Sequence, residues 1–473
     1  MIAEKFTFYL FTIGSKYDRI IFQRGRNTFY RNPQRRRRLD INYRDGYFDE
    51  PKPQKKKKRK EKAPYRGMRI AAILLSIVLF FEFLYCFLVF TDIPVIKYWR
   101  EAYISTALST MDHQWLADYF LPKYMVDEIR ALKEQTLLEQ EDDVSVRPTP
   151  TQPTQPGNSD VPTEQIPDTT ERVTVPGESP EETAFYELFW ELNRSTFEQY
   201  VEEHPSVLDD GWENIYINEA GFNDKGTSIY TTLGEQVLAI DAKNQILLIR
   251  VQGSGYLGIL AICKDPAQLR CEASPGIGTY GQPLGTLVKK SGGIIGITGS
   301  GFVDPDGAGN GGLVAGYTMC EGKEYGEHYS FRGYKRIELT TDNKFYIANA
   351  QSKVASDVTD AVEFAPALIV DGNLTVDGYR DYNGINPRAC IGQSARGEIM
   401  MLVIEGRQLG RSIGTDVETC AKILMRHDAY VAMNLDGGTS AIMWYDGEYV
   451  TKCSNTNISS RSLPNAWVYG NYE

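Results

Sequence analysis

The feature that most constrains this chain is an apolar segment at residues 70–90, IAAILLSIVLFFEFLYCFLVF, in which Glu82 is the one charged side chain. As a helix rising about 1.5 Å per residue, the segment spans about 31 Å, and the hydrocarbon core of a bilayer is about 30 Å thick. A cleaved signal peptide is shorter and lies nearer the start. A buried core helix is the alternative, but hydrophobicity over this length favours a transmembrane helix, which we place at residues 70–91.

The charges on either side of this segment predict its orientation. Residues 1–69 hold 21 Lys+Arg and 7 Asp+Glu, whereas the remainder of the chain holds 30 Lys+Arg and 55 Asp+Glu. Because positively charged flanks stay on the cytoplasmic side, we predict a single-pass protein of the cell membrane with a basic cytoplasmic tail at residues 1–69. The basic run is explained by topology and anionic lipid, so the lipid bilayer is an expected partner and nucleic acid is not.

Composition divides the remaining chain into four segments. Residues 92–140 carry apolar side chains at helical spacing and are expected to form an extracytoplasmic helical segment. Residues 141–183 are rich in Pro and Thr and almost lack apolar side chains, so we expect a disordered linker. Residues 184–212 are expected to form a helix, with Thr183 as a candidate N-cap, that leads into a domain at residues 213–473.

From residue 213 onward the pattern changes to short strands separated by Gly-rich turns. The stretch QVLAIDAKNQILLIRV has the form of a β-hairpin, and stretches such as YLGILAIC and EIMMLVIEG are typical of strands. One helix is predicted at VETCAKILMRH, where Thr415 and Glu418 form a capping-box pattern. The predicted fold class is α/β in the broad sense (α+β): a mixed β-sheet domain with few helices, preceded by a transmembrane helix and a helical or disordered stalk.

Cysteine usage leaves two alternatives open. Cys86 lies in the apolar segment, and six further cysteines follow it. An even number outside the cytoplasm permits disulfide bonds, and buried free thiols are the alternative. None of the cysteines forms a CxxC pair, and the chain has 4 His, so a cage of metal ligands is not expected. No cofactor is predicted, although a divalent metal ion is compatible with the sequence.

The strongest chemical signal is the stretch NLDGGTS at residues 434–440, which follows the strand-like YVAM. Glycines let a ligand approach the backbone closely and expose N–H groups that bind anions. Asp436 beside such a cradle is a candidate acid or base. The alternative is a plain β-turn, because Asp-Gly and Gly-Gly are common turn dipeptides.

Other candidate groups also follow strand-like stretches. A glycine-rich loop, GSGFVDPDG, occupies residues 299–307, and its alternative interpretation is tight packing alone. Arg388 and Arg461 lie in loops, where a guanidinium fork suits phosphate, although a loop arginine is more often a surface residue. Glu405 adds a second carboxylate after the strand MMLVI. The sequence has no GxSxG, Walker or HExxH motif.

The ordered set GSGFVDPDG, PALIVDGN, PRACIGQ, EGR, NLDGGTSAIMWYDG and RSLPNAW resembles the phosphodiester glycosidase family over residues 235–470. The resemblance implies an enzyme of the glycoside hydrolase type that hydrolyses a sugar-phosphate diester at the sugar C1–O bond. Bacterial members are often membrane-anchored and linked to exopolysaccharide or cell-wall metabolism. The expected substrate is therefore a sugar phosphate or cell-wall glycopolymer, met by an extracellular catalytic domain, and the resemblance identifies neither the sugar nor the oligomeric state.

The resemblance also assigns roles residue by residue. Asp436 and Glu405 are the expected catalytic carboxylates, one activating water or stabilising an oxocarbenium-like sugar. This chain departs from the family pattern where Glu405 replaces an Asp and Thr439 replaces a frequent Gly, and residues 298–301 read TGSG where Asn-Gly-Gly is common. The expected substrate- and phosphate-binding residues are Arg388, Arg461, Gly437, Gly438, Ser440, Asn434, Gly301, Asn465 and Arg407.

The predicted mechanism rests on charge matching. Arg388 and Arg461, with N–H groups around Gly437 and Gly438, are expected to hold the phosphate, which then leaves with little acid assistance. Two non-catalytic functions stay open. One is a module that binds a cell-wall polymer, with a basic pocket but no paired carboxylates. The other is a scaffold of an exopolysaccharide assembly complex that uses residues 95–140 as its interaction surface.

Overall fold

The computed structural model of the 473-residue chain describes residues 65–110, 114–147, 179–221, 225–305, 309–329, 332–377 and 384–470. The chain divides into two compact units, Met1–Ile73 and Leu74–Glu473. Residues 1–64 of the predicted cytoplasmic tail and residues 148–178 of the predicted linker lie outside the described residues.

The helices of the described residues fall into three groups along the chain: one long apolar helix, three helices that follow it, and four that belong to the β-rich domain. They are α1 Arg66–Phe90, α2 Pro94–Leu108, α3 Gln114–Phe120, α4 Lys123–Glu139, α5 Pro180–Leu188, α6 Arg194–Glu203, α7 Leu284–Ser291 and α8 Val417–Arg426.

Helix α1 contains the predicted membrane segment. Within the described residues, one helical stretch is long and apolar enough to cross a membrane, Gly67–Phe90. Its side chains are exposed from Gly67 to Leu88. The Arg100 side chain donates to the carbonyls of Val89 (2.7 Å) and Thr91 (2.9 Å), which satisfies acceptors at the helix end. The apolar helix is therefore confirmed, and its insertion in a bilayer stays a prediction.

Helices α2, α3 and α4, called the stalk helices below, share a small apolar core. Pro94 begins α2, and Pro122 immediately precedes α4. Proline suits a helix start because the first N–H groups have no partner within the helix. The helical periodicity of residues 92–140 thus gives helices that bury their apolar faces against one another, through Ile104, Ala107, Ala117, Val126 and Ile129.

Two helix starts differ from the sequence prediction. Helix α5 begins at Pro180, where the Ser179 hydroxyl accepts the N–H of Glu182 at 3.1 Å, so Ser179 and not Thr183 is the cap. Helix α8 is capped by Asp416, which accepts the N–H of Thr419 at 2.7 Å. Thr415 cannot cap α8, since its backbone N–H and carbonyl are both paired with the backbone of Asn386.

The strands of the described residues are mostly short. They are β1 Tyr216–Asn218, β2 Val237–Asp241, β3 Ile246–Gly253, β4 Tyr256–Cys263, β5 Leu269–Ala273, β6 Gln282–Pro283, β7 Ile295–Thr298, β8 Tyr317–Cys320, β9 Lys323–Gly326, β10 Lys335–Thr340, β11 Phe345–Asn349, β12 Val358–Phe364, β13 Ala367–Val370, β14 Asn373–Leu374, β15 Arg388–Ser394, β16 Ile399–Ile404, β17 Ala429–Asn434, β18 Met443–Tyr445, β19 Glu448–Tyr449, β20 Ser462–Leu463 and β21 Asn465–Tyr469.

Every ladder between these strands is antiparallel, which makes the domain α+β, as predicted. The largest sheet has nine strands in the order β1-β2-β3-β4-β16-β15-β17-β13-β14. Two sheets have five strands each, β11-β10-β12-β8-β9 and β19-β18-β7-β21-β5, and β20 pairs with β6. The expected hairpin is present as β2 and β3, with Asp241 opposite Ile246.

The nine-stranded sheet contributes to two apolar cores, one from each of its faces. Met401 belongs to a core that it shares with Ile337 and Trp467 of the two smaller sheets. The next residue, Leu402, belongs to a second core together with Phe197 of α6. Successive side chains of a strand point to opposite faces, so neighbouring residues of β16 can serve different cores. Burial on both faces holds the strand ends of this sheet in fixed positions.

The cysteines resolve one alternative that the sequence leaves open. All seven are free thiols in this structure, and the six that follow Cys86 are buried. Cys271 on β5 and Cys320 on β8 lie close together, with 3.1 Å between their sulfur atoms. Burial raises the pKa of the Cys263 thiol, which makes the reactive thiolate form rare.

Candidate active site

A cavity of about 770 Å³ opens where several strand ends meet. Antiparallel pairing sets Cys390, near the start of β15, opposite Asn434, the end of β17. In the same way Ala466, near the start of β21, lies opposite Thr298, the end of β7. The loops that leave and enter these strands line the cavity, with residues 301, 302, 304, 386–388, 434–440 and 460–462.

Asp436 lies in this cavity directly after β17. Burial raises the pKa of Asp436 to about 6, and the negative charge of Asp304 adds to this effect. Hydrogen bonds from the Ser440 hydroxyl and the Gly437 N–H, together with the charge of Arg461, act in the opposite direction. A carboxyl group with a pKa of about 6 changes its charge near neutral pH, as a general acid or base must.

Asp304 is the second carboxylate of the cavity, and Arg461 binds it through both ends of its guanidinium group. Arg461 Nη1 donates to Oδ2 at 2.6 Å and Nη2 donates to Oδ1 at 2.8 Å. These bonds, and the N–H of Gly309 at 2.6 Å, hold the pKa of Asp304 below its usual range. The Arg461 guanidinium also lies over the ring of Phe302, 4.7 Å from its centroid. Asp304 therefore stays ionised, whereas Asp436 titrates.

Glu405, the predicted second catalytic carboxylate, does not line the cavity. Arg411 binds it, with Nε donating to Oε2 at 2.5 Å and Nη2 donating to Oε1 at 2.9 Å. The N–H of Lys452 also donates to Oε1, at 2.9 Å. The Glu405 side chain is 3% exposed and occupied by these partners. The structure therefore does not bring Glu405 into the cavity, and the carboxylate that lines it together with Asp436 is Asp304.

Arg388 lines the cavity from the first position of β15 and is buried. Its Nε donates to the carbonyl of Thr415 at 3.1 Å, and its Nη2 donates to the carbonyl of Gly384 at 2.8 Å. These two donors cannot also form the predicted fork to a phosphate. Arg388 nevertheless places its positive charge at a fixed position in the cavity wall.

The N–H groups of Gly437 and Gly438, which were predicted to bind an anion, donate to acceptors within the protein. The Gly437 N–H donates to the Asp436 carboxylate, and the Gly438 N–H donates to the carbonyl of Pro387 at 3.1 Å. A Cβ on Gly437 would lie 2.8 Å from that same carbonyl, so only glycine fits there without a shift. The glycines therefore allow the loop to approach Pro387 and position Asp436, in place of the predicted contact with an anion.

Most of the remaining predicted residues line the cavity, and one of them, Asn465, lies behind the loop that lines it. Asn434 lines the cavity and donates to the carbonyl of Ala365 at 2.8 Å. Asn465 is fully buried behind the loop, where it accepts the N–H of Ser300 at 2.7 Å and donates to its hydroxyl at 2.8 Å. Asn465 thus positions the loop and is not a cavity residue, contrary to its predicted binding role. Gly301, Ser440 and Arg407 do line the cavity.

Several cavity residues carry no functional signal in the sequence, and Asn386, Tyr329 and Lys133 are examples. Asn386 accepts a bond from Arg407 at 3.2 Å. Tyr329 has its pKa raised by burial and by the charges of Tyr334 and Asp436. Lys133 enters from helix α4. No local pattern marks any of these residues, because they reach the cavity only through the fold.

The charged side chains that line the cavity are predominantly positive. Among its lining residues the carboxyl groups are Asp304 and Asp436, and the cationic groups are Lys133, Arg388, Arg407 and Arg461. Such a cavity attracts anions, including phosphate esters. In the described part of the chain, no three or more His, Cys, Asp or Glu side chains are grouped to hold a metal ion.

Comparisons with known proteins give one family match and several similar folds. The family model described as phosphodiester glycosidase matches residues 291–469. No curated protein matches the sequence. The fold is similar to the zebrafish N-acetylglucosamine-1-phosphodiester alpha-N-acetylglucosaminidase catalytic domain auto-inhibited by pro-peptide, with 13% identity over 57% of this chain and 94% of that chain and a TM-score of 0.38. It is also similar to a hypothetical protein from Synechocystis, with 15% identity over 51% of this chain and 65% of that chain and a TM-score of 0.35.

The matched residues include both cavity carboxyl groups and all three cavity arginines, and Lys133 is the one charged lining residue outside them. The TM-scores are too low to transfer residue positions from the solved structures. The geometry and the family match therefore agree on the location of the site, and residues 291–469 are similar to the family described as phosphodiester glycosidase.

Proposed function

We propose that this chain is a membrane-anchored glycosidase that hydrolyses a sugar-phosphate diester by breaking the bond between the sugar C1 and the bridging oxygen. The observation that carries the proposal is Asp436, a carboxyl group with a pKa of about 6 in a cavity rich in cationic side chains. The cationic side chains match the charge of a phosphate, and the carboxyl group can move a proton.

The cationic residues stabilise the leaving group. As the C1–O bond breaks, negative charge develops on the departing phosphate. Arg388 is fixed by the carbonyls of Thr415 and Gly384, and Arg461 is fixed by Asp304. Charges that are already oriented toward a developing charge lower the barrier without reorganisation. The phosphate therefore leaves with little proton donation.

Asp436 acts as the general base. At neutral pH it is mostly ionised, and it accepts a proton from the water that attacks C1, so that the products are the free sugar and a phosphate monoester. Its bonds with Ser440 and the Gly437 N–H keep the carboxylate in one orientation. Asp304 does not compete for this role because both of its oxygens accept bonds from Arg461. Asp304 is instead a positioning residue for Arg461.

The source of the oxygen atom in the products tests this reaction. The full chain in detergent is incubated with a set of UDP-sugars in water labelled with oxygen-18. We expect turnover of at least one sugar, with the label in the free sugar and none in UDP. Label in the phosphate would show cleavage of the P–O bond and would contradict the proposal. A chain that binds phosphate without turnover would instead be the cell-wall polymer-binding module considered above.

The proposed location is the cell membrane, with residues 1–69 cytoplasmic, α1 crossing the bilayer, and the catalytic domain at residues 213–473 extracellular. Cell-wall or exopolysaccharide material is then the accessible substrate. The support is the exposed apolar surface of α1 and the excess of basic residues before it.

Cysteine labelling tests the orientation. In intact cells, an impermeant thiol reagent should label Asp160→Cys and leave Glu50→Cys unlabelled. The native thiols serve as background, because Cys86 lies in α1 and the others are buried. Labelling of Glu50→Cys alone would reverse the proposed orientation.

A further inference from the structure

The stalk helices form one side of the cavity, although they lie outside the residues that match the family. Leu108 and Thr110 at the end of α2, Gln114 of α3 and Lys133 of α4 all line it. The site is therefore built from two parts of the chain that are far apart in sequence.

The end of α2 is bonded to the segment that precedes Arg388. The Thr106 hydroxyl accepts the N–H of Ile385 at 3.0 Å, and the Ser109 hydroxyl accepts a side-chain N–H of Asn386 at 2.7 Å. Arg388 follows two residues later. These bonds connect the stalk to the backbone that delivers a cationic group to the cavity.

Helix α4 packs on the β-rich domain through its last turns. Leu137 forms a small apolar cluster with Ala365 and Tyr334. A Cβ on Gly333 would lie 2.2 Å from the Leu137 carbonyl, so the two backbones approach as closely as glycine permits. Lys133 lies one helical turn before Leu137 and therefore shares the face that packs on the domain.

The surroundings of Lys133 and Arg388 favour an anion. Loss of hydration lowers the pKa of Lys133, and the nearby positive charge of Arg388 lowers it further. The positive charges of Lys133 and Arg388 repel each other in this partly dehydrated part of the cavity. An anion bound beside both would offset that repulsion.

We propose that Lys133 is a phosphate-binding residue supplied by the stalk, which binds the substrate phosphate together with Arg388. The proposal rests on the proposed function for the identity of the ligand and extends it, since the family domain without the stalk then lacks part of its phosphate site. An ammonium group that binds phosphate before and during reaction contributes uniform binding, so its loss raises KM more than it lowers kcat.

Binding and turnover are measured separately on the full chain. Lys133→Gln removes the charge, Lys133→Arg keeps it, and Lys123→Gln makes the same charge change at an exposed position of the same helix, outside the cavity lining. By calorimetry with inorganic phosphate, Lys133→Gln should weaken binding by about tenfold or more, as expected for a lost charged hydrogen bond. Lys133→Arg should retain most of the affinity, and Lys123→Gln should equal the wild type.

Unchanged phosphate affinity of a folded Lys133→Gln chain would overturn the proposal, as would an equal loss in Lys123→Gln, which would indicate general electrostatics. If Lys133→Gln folds poorly, Lys133→Met keeps the aliphatic stem and gives the same comparison. Phosphate binding that depends on Lys133 in a chain without hydrolase activity would contradict the proposed function alone. Hydrolysis with no dependence of KM on Lys133 would contradict the phosphate role alone.

Discussion

Two buried or half-buried arginine–carboxylate pairs in the described part of the chain, Arg461–Asp304 and Arg411–Glu405, are each joined by two hydrogen bonds, and the first pair belongs to the site. Arg461 binds Asp304 with two bonds of 2.6 and 2.8 Å, and Arg411 binds Glu405 with two bonds of 2.5 and 2.9 Å. Each carboxylate also accepts a backbone N–H. The first pair lines the cavity with Asp436, whereas the second lies outside the cavity lining.

The two pairs have similar hydrogen bonds but different neighbours. The Asp304–Arg461 pair is functionally relevant because it lies beside a third ionisable group, Asp436. Asp304 and Arg461 act on the pKa of Asp436 in opposite directions, so the pair adjusts a group that can transfer a proton. The bonds that Glu405 accepts connect the end of β16 to Arg411 and to the backbone N–H of Lys452. Four substitutions test the difference between the two pairs, and they are given in order of decreasing expected effect.

Asp436→Asn removes the carboxylate that lies beside the Asp304–Arg461 pair, and it should cause the largest loss of activity. Catalysis should fall by about 100-fold or more, the scale of a lost general base. The melting temperature should be unchanged or higher above pH 6. A carboxyl group whose pKa is raised from 3.8 to about 6 by burial stabilises the fold at low pH, and that contribution is lost as pH rises through about 6.

Rate and melting temperature are measured on one Asp436→Asn preparation, at about pH 5 and about pH 8. Full activity in a stable chain would remove Asp436 from the mechanism. A melting temperature that falls while the activity per folded molecule stays intact would mean that Asp436 only closes its turn.

Asp304→Asn breaks the pair in the cavity. Activity should fall by about tenfold to 100-fold, because Arg461 loses the partner that orients it. The negative charge that raises the pKa of Asp436 also disappears, so that pKa should fall. The rising limb of the pH–rate profile, which reports ionised Asp436, should move to lower pH. A shift to higher pH would contradict the assignment of Asp436 as the base.

Glu405→Gln breaks the pair outside the cavity and is the matched control. Arg411, whose side chain is 26% exposed, loses its charged partner, so the free energy of unfolding should fall by about 1–3 kcal/mol. Activity per folded molecule should stay within about twofold of the wild type. Urea unfolding and specific activity check both statements. An activity loss as large as that of Asp304→Asn, in a stable chain, would return Glu405 to the mechanism.

Ser440→Ala should have the smallest effect and the opposite sign from Asp304→Asn. The Ser440 hydrogen bond lowers the pKa of Asp436, so its loss should raise that pKa and move the rising limb to higher pH. At pH 7 the rate should fall by less than about twofold, since a shift of about one unit leaves half of the carboxyl groups ionised. If the rising limb moved in the same direction and by the same amount in Ser440→Ala and Asp304→Asn, neither the Ser440 hydrogen bond nor the Asp304 charge would control the pKa of Asp436.

Local patterns predicted the elements of the fold better than their boundaries. The β2–β3 hairpin and helix α8 follow from alternation and from helical periodicity within single stretches. The cap of α8 was misplaced because Thr415 is paired with Asn386, a residue far from it in sequence. The position of the cap thus depends on backbone pairing with a distant part of the chain, because the Thr415 carbonyl that would accept the first helical bond is bonded to Asn386.

For the residues of the site, too, local sequence does not reveal contacts with distant residues. Asp436 was identified because a carboxylate, two glycines and two hydroxyl residues stand together in one short stretch. Glu405 and Asp304 both follow strands and have similar chemistry, so their sequence surroundings did not distinguish them. The distinction is a matter of distance: Arg411 occupies Glu405, and the packing of β7 against β21 brings the loop of Asp304 toward Arg461.

The sequence by itself determined the apolar helix, the asymmetry of charge around it, the alternation that makes a β-rich domain, and the motif that contains Asp436. These are properties of neighbouring residues, and hydrophobicity and backbone preference express them locally. The packing of the folded chain places Asp304 and not Glu405 in the cavity with Asp436, and it brings Lys133 to the cavity from the stalk helices. Ion pairing and loss of hydration depend on distances between residues that are remote along the chain, and those distances exist only after folding.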